Sequence, residues 1–351
     1  MEVVSGKLKL FVGMVKDHAS IGKAIMSSSS SGCHFPDIEV AVLRATSHDN
    51  GSIDNKHLHQ ILFLVSSSPQ GLATPFLAER ISRRLAKTTD PLVALKSLLL
   101  VHRLLRGGNR CFEQELRGAY LSGHLQMSTL RNVATISNGP EVSFLHSYAA
   151  YLEERIGWRI NDDGKLEPVV EGLHFWDYDG KSIDLVFRKL PKCQVYIDRV
   201  LDCLLPCNSL INNLLAQASF INILKESFQV YATYSECIGG LINLFFDLTK
   251  QARAMACEIL KCASQQSREL HDLYEKCKKV TGESFGSSAN NLNHHKSMKY
   301  PSVQIITMDH FMALESCSKT DATNSSLSSG TLFSSKLETT ISKDWVLFED
   351  E

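Results

Sequence analysis

Asp90-Pro91-Leu92-Val93-Ala94-Leu95-Lys96-Ser97-Leu98-Leu99-Leu100-Val101-His102-Arg103-Leu104-Leu105 is the stretch that decides the fold of this chain. An aspartate followed by proline opens a helix. The carboxylate accepts a free backbone N–H of the first turn, and proline at the first helical position gives up only a donor without a partner there. The residues after the proline are apolar on nearly every side of the helix, so this helix is central and covered by others. Gly107-Gly108 ends it. Lys96, His102 and Arg103 interrupt the run, so it does not span a bilayer.

Outward from this segment, helical periodicity recurs with almost no competing strand signal. The spacing predicts further helices at 7–26, 37–47, 55–67, 74–87, 111–121, 141–157, 181–190, 193–205, 209–237 and 239–279. Short connections favour antiparallel neighbours. The expected fold is all-α: a superhelical array, a right-handed solenoid of about ten antiparallel helices, followed by a disordered C-terminal tail. Ser27–Ser31 and the connection Trp158–Trp176 read as surface loops, and no repeat of fixed period is visible.

Composition changes near residue 281. The stretch 281–343 is rich in Ser and Asn and cannot bury enough apolar surface to offset its ordering entropy, apart from a short apolar island at 303–314. The chain then ends on Trp345-Val-Leu-Phe348-Glu349-Asp350-Glu351 within 344–351. Large aromatics beside a disordered tether suggest a peptide that something binds.

The net charge of -1 over 351 residues gives no global pull toward nucleic acid or membrane, so any anion-binding surface must be local. Ten cysteines form no CxxC pair and no zinc spacing, which points to reduced, buried thiols and no metal. Lysines interrupt the apolar N-terminus, which lacks a signal-peptide core, so an intracellular protein is expected. No GxSxG elbow, phosphate-binding loop, HExxH or dinucleotide-binding glycine pattern is present, and His57-Leu58-His59 and His294-His295 have no companion ligands. The chain is expected to be no enzyme and to need no cofactor.

One constellation carries chemistry. Arg44-Ala-Thr-Ser-His48 lies near the end of one apolar-periodic segment, and Lys56-His57-Leu58 lies near the start of the next. Asp49-Asn-Gly-Ser-Ile-Asp54 between them is a loop by composition, with Asp54 placed to cap the second helix. Cations at a helix N-terminus suit a phosphate ligand. Taken alone, the pattern also fits a helix-loop-helix with ordinary solvated charges. Lys9, Lys16 and Lys23 share one face of the first helix beside Leu8, Phe11, Val15 and Ile25. That face reads either as a secondary membrane contact or as an amphipathic helix packed on the domain. Arg80, Arg83, Arg84 and Lys87 form another basic face.

The segments Arg44–His48, Lys56–Leu58, Val93–Leu98, Val101–Arg106, Leu152–Arg155, Leu224–Phe228, Ile242–Asp247 and Gln266–Leu270, in this order and spacing, resemble the plant-type ANTH domain of clathrin assembly proteins, in the ENTH/ANTH/VHS superfamily, over 5–280. The resemblance implies a peripheral membrane adaptor. Such a protein binds phosphatidylinositol 4,5-bisphosphate and promotes clathrin coat assembly, with sorting of cargo and vesicle SNAREs. It works on the cytoplasmic face of coated pits and vesicles, at the plasma membrane and the Golgi apparatus. The family's lipid site falls on Arg44, Asp54, Lys56 and His57, where Asp54 replaces an expected lysine. Its SNARE groove falls on Ile223 and Leu248, which core packing explains equally well. Trp345, Phe348, Glu349 and Asp350 resemble peptides that bind the appendage domain of adaptor complexes. The alternative is an ANTH-fold interaction scaffold in which phosphoinositide binding is weakened or lost.

Overall fold

The computed structural model describes residues 2–27, 35–68, 71–130, 133, 139–170, 183–203, 213–286 and 301–303. The fold is all-α, as expected. Among the described residues the helices are α1 (Glu2–Ser27), α2 (Phe35–Ala45), α3 (Asn55–Ser67), α4 (Ala73–Lys87), α5 (Pro91–Gly107), α6 (Arg110–Leu121), α7 (Pro140–Ile156), α8 (Ile183–Asp202), α9 (Leu214–Asn243) and α10 (Lys250–Gly286). The chain divides into two compact units, the first comprising residues 1–166 and 202–223, the second 167–201 and 224–351.

In the first unit, α2 packs on α4, α3 on α5, α4 on α6 and α5 on α7, in addition to neighbour contacts such as α1 on α2 and α2 on α3. A helix in the middle of such a stack is covered on several sides at once. This explains why α5 is apolar all round: twelve of its seventeen residues are buried, Lys96 and His102 among them. Asp90 accepts the N–H of Leu92, and Pro91 opens the helix, so the start is set by local chemistry.

His102 stays buried because its Nδ1 lies 2.9 Å from the Tyr148 hydroxyl of α7. Arg155, fully buried on α7, donates to the carbonyl of Trp158 at 3.1 Å and lies 3.8 Å from the Glu113 carboxylate on α6. Arg117 donates to the same Trp158 carbonyl and to that of Ile156. These bonds hold a small hairpin of β1 (Trp158–Ile160) and β2 (Leu166–Pro168) against the helices. This corrects the expectation of a surface loop from Trp158 onward. The indole is buried, with its N–H on Glu154, and the chain pairs with itself behind it. The remainder of that connection, 171–182, lies outside the described residues.

The second unit joins α8, α9 and α10. Gln266 donates to the carbonyl of Gln194 and to Asp198 and accepts from the Tyr234 hydroxyl, so one buried amide ties the three helices together. Several boundaries differ from the sequence expectation, among them those of α10, which starts at Lys250 rather than 239 and continues to Gly286, past the expected start of the tail at 281. The helices expected at 181–190 and 193–205 are one helix, α8, with Pro191 inside it. A break expected at residue 238 is absent: α9 runs through Gly239-Gly240 to Asn243, and the turn comes at the 3-10 segment Phe245–Asp247. Val186 of α8 lies beside Gly240. The thiols are also not uniformly buried: Cys193 and Cys203 are, but Cys111 is exposed and Cys237, Cys257, Cys262 and Cys277 are intermediate.

Candidate functional site: a basic helix terminus on a stapled loop

The loop between α2 and α3 is short, and α5 fixes both of its ends. Lys96, 1% exposed, donates from Nζ to the carbonyls of Ser47 (3.1 Å) and Asp49 (2.8 Å) and to the Asp49 carboxylate (2.9 Å). Two helical turns further, Arg103 donates to the carbonyl of Ile53 at 2.9 Å and to the side-chain oxygen of Asn55. Ile53 itself is buried. The polar interruptions in the most apolar helix therefore have a purpose: they satisfy the loop's carbonyls and hold the N-terminus of α3 in place.

Asp54 is the N-cap of α3 and its carboxylate accepts the Lys56 N–H at 2.9 Å. The other oxygen lies 2.7 Å from Lys56 Nζ. The same carboxylate thus satisfies a helix-end donor and neutralises the first cation of the terminus. Hydrogen bonds from Lys56 hold the Asp54 carboxyl below its ordinary range. Lys56 remains exposed.

His57 follows on the next turn position and is half-buried, with Nδ1 enclosed and without a hydrogen bond among the described residues. Burial pushes its pKa down, and the Lys56 and Arg44 charges add to that effect while Asp54 and Gln60 oppose it. Arg44, exposed in the last turn of α2, is therefore close enough to act on the His57 ring. The structure brings Arg44, Asp54, Lys56 and His57 together, with Arg103 beneath; Asp54 acts electrostatically on Arg103 as well.

His48 plays a different part. Its backbone N–H and Nδ1 both engage Asp17 of α1, at 2.8 and 2.7 Å, and the other Asp17 oxygen receives Arg84 Nη2 at 2.7 Å. Arg84 also donates to the Thr46 carbonyl. Gly13 lies under the His48 ring, where a Cβ would come within 2.5 Å of it. His48 and Arg84 thus dock α1 on the end of α2.

The other expected contact residues lie apart from this terminus. Lys16 and Lys23 are exposed on α1, and Leu8, Phe11, Val12 and Val15 form an exposed apolar stripe on the same helix. The Lys9 side chain lies outside the described residues, as do Trp345, Phe348, Glu349, Asp350 and all of the 303–314 island except Val303, which is buried. Ile223 and Leu248 are both buried. Sequence reasoning missed Lys96 and Arg103 as supports. The available signal was two cations seven residues apart on an otherwise apolar helix.

Among the described residues no helix is long and apolar enough to cross a membrane, and no group of His, Cys, Asp and Glu is arranged to hold a metal ion. A stack of helices and a basic helix terminus on a clamped loop define an α-helical domain with a surface suited to anions. The ANTH domain family matches residues 37–320. The chain is 47% identical to "Putative clathrin assembly protein At1g33340" of Arabidopsis thaliana, over 99% of this chain and 95% of that protein. Two further Arabidopsis proteins, "Putative clathrin assembly protein At4g02650" and "Putative clathrin assembly protein At1g03050", are 31% and 30% identical over 92% and 88% of this chain. The chain spans only 56% and 53% of those two relatives. The protein belongs to the ANTH domain family.

Proposed function

We propose that this protein is a non-enzymatic peripheral membrane adaptor that binds phosphatidylinositol 4,5-bisphosphate through Arg44, Lys56 and His57 and promotes clathrin coat assembly. The observation that carries this reading is the convergence of those three residues at the N-terminus of α3, on a loop that Lys96 and Arg103 immobilise. Cations at a helix N-terminus attract phosphate, and a loop already held in place lowers the ordering cost of binding it. The names of its relatives, clathrin assembly proteins, support the coat role. The α1 face of Leu8, Phe11 and Val15 with Lys16 and Lys23 supports a secondary contact with an anionic bilayer, with Lys9 on the same helix.

In this reading, residues 5–280 form the lipid-binding domain and 281–343 a tether. The peptide at 344–351 uses Trp345, Phe348, Glu349 and Asp350 to engage an adaptor appendage domain. Sorting of vesicle SNAREs belongs to the same reading, and the protein acts at plasma-membrane coated pits and at the Golgi apparatus. Pull-down of an appendage domain with the 342–351 peptide tests the tail, and a Trp345→Ala peptide that captures it equally well refutes that part.

One observation favours a second reading, a scaffold with weakened lipid binding. Asp54 already occupies the anion position at the helix end and pairs with Lys56. Co-sedimentation with phosphatidylcholine vesicles, plain or doped with individual phosphoinositides, separates the two. Binding that depends on the bisphosphate and is lost in Lys56→Glu supports the adaptor; absence of any phosphoinositide response supports the scaffold.

A further inference from the structure

A second concentration of positive charge lies away from the α3 terminus, in a cleft of about 460 Å³ between α1, α2 and the C-terminal half of α4. Its walls carry Lys16, His48, Arg80, Arg83, Arg84 and Lys87, with Glu39 the one carboxylate among the lining residues. Three of the cations are fixed by carboxylates: Arg84 by Asp17, Arg80 by Glu39 at 3.2 Å, and Arg83 by Glu79 one turn away. Lys16 and Lys87 are exposed and make no ion pair among the described residues.

The floor is rigid. Arg84 is pinned by Asp17 and the Thr46 carbonyl, and Arg80 stacks over Phe76 with its guanidinium 4.6 Å from the ring centre. Both arginines nonetheless keep a buried Nε–H with no acceptor among the described residues. Buried guanidinium donors are rarely left unmet, because the desolvated N–H loses its hydrogen bond to water. Those two donors lie beneath the surface, so the cations that face the concavity unpaired are Lys16 and Lys87; with Arg80, Arg83 and Arg84 they set five positive charges against the three carboxylates Asp17, Glu39 and Glu79, an excess suited to an oxyanion. The volume is that of a small-molecule site.

We propose that this cleft is a second anion-binding site, one that takes a small, multiply phosphorylated anion between Lys16, Lys87 and the arginine floor. A phosphoinositide headgroup and a soluble inositol polyphosphate share that chemistry. The site does not depend on the α3 terminus, because it uses different residues.

The test uses the full chain in four forms: unaltered, Lys16→Glu/Lys87→Glu, Lys87→Glu alone, and Lys56→Glu. All three lysines are exposed, and thermal melts establish that the variants fold. Inositol 1,4,5-trisphosphate in calorimetry is the soluble probe, and phosphatidylcholine vesicles doped with phosphatidylinositol 4,5-bisphosphate are the lipid probe. The double variant is expected to bind the trisphosphate roughly tenfold more weakly, while Lys56→Glu retains the cleft's share of binding. If vesicle binding also falls in Lys87→Glu alone, which leaves the α1 face intact, the ligand is a headgroup; if only trisphosphate binding falls, it is soluble. Trisphosphate binding unchanged in the double variant, or wholly abolished by Lys56→Glu, overturns the proposal. Vesicle binding insensitive to Lys56→Glu would sink the lipid reading of the α3 terminus and leave this one standing.

Discussion

Asp54 and Lys56 are joined twice: one carboxylate oxygen accepts the Lys56 N–H at 2.9 Å, and the other lies 2.7 Å from its ammonium. The side chain that caps the helix also stands in for the anion that the terminus would otherwise recruit. Cap and competitor are separable by substitution. Asparagine is as good an N-cap as aspartate but carries no charge. Asp54→Asn is therefore expected to leave the melting temperature nearly unchanged and to raise affinity for bisphosphate vesicles roughly two- to fivefold. Asp54→Lys should raise it further, and co-sedimentation measures both. A fall in affinity on either change would show that the carboxylate assists binding.

His57 should give that binding a pH dependence. Burial and the neighbouring Lys56 and Arg44 hold its pKa below the ordinary value of 6.5. The ring is then neutral at neutral pH and gains its charge only in mild acid. Affinity for the bisphosphate should rise as pH falls below about 6.5, and the rise should vanish in His57→Gln. A pH-independent profile in the unaltered protein would remove His57 from the site.

Asp17 links acid stability to the docking of α1. Burial pushes its carboxyl up, but the hydrogen bonds from His48 and Arg84 outweigh that and hold it below 3.8. A depressed pKa in the folded state stabilises the protein above the unfolded value, and the contribution is lost as pH falls through the folded value. Asp17→Asn should cost about 1–3 kcal/mol at neutral pH and flatten the decline in stability below about pH 4. Chemical denaturation across pH reads both effects.

At the same junction, Gly13→Ala drives a methyl group to within 2.5 Å of the His48 ring. Overpacking of this kind costs about 1–3 kcal/mol. A double change, Gly13→Ala with His48→Ala, should recover part of the loss; additivity would mean that the two residues do not meet.

Lys96→Met keeps most of the apolar stem of the side chain and removes three hydrogen bonds to the 47–49 segment. The apolar environment accepts methionine, so the expected loss of stability is modest, about 1–3 kcal/mol. Hydrogen exchange should accelerate selectively in 46–54. Unchanged exchange there would show that Arg103 alone suffices to hold the loop.

Much of this architecture is legible in the chain. Asp90-Pro91 and Gly107-Gly108 bound α5 by local chemistry, and an all-round apolar surface places it inside. Arg44, Asp54, Lys56 and His57 are recognisable because loop composition and capping put them at facing helix ends. The misreadings share a cause: tertiary contacts override local signals. Pro191 does not split α8, and Gly239-Gly240 do not end α9, where Val186 of α8 lies beside Gly240. Trp158 reads as the start of a loop until Arg155 and Arg117, from two different helices, are seen to bind its carbonyl. The partnership of His48 with Asp17 is hidden for a simpler reason, since thirty-one positions separate them and Asp17 belongs to no recognisable pattern.

The clamp that Lys96 and Arg103 place on the loop has a thermodynamic corollary. Both cations belong to the buried helix α5, so opening of the α3 terminus must break its hydrogen bonds to the interior. Engagement of a headgroup and integrity of the interior then become a single linked equilibrium. A bound phosphate held at a hundred times its dissociation constant would add about 2.7 kcal/mol to the unfolding free energy, so a plain thermal scan serves as a binding assay. The converse holds near the melting temperature: a methylene removed from the heart of α5, with no atom near a bilayer, lowers the share of molecules able to hold one.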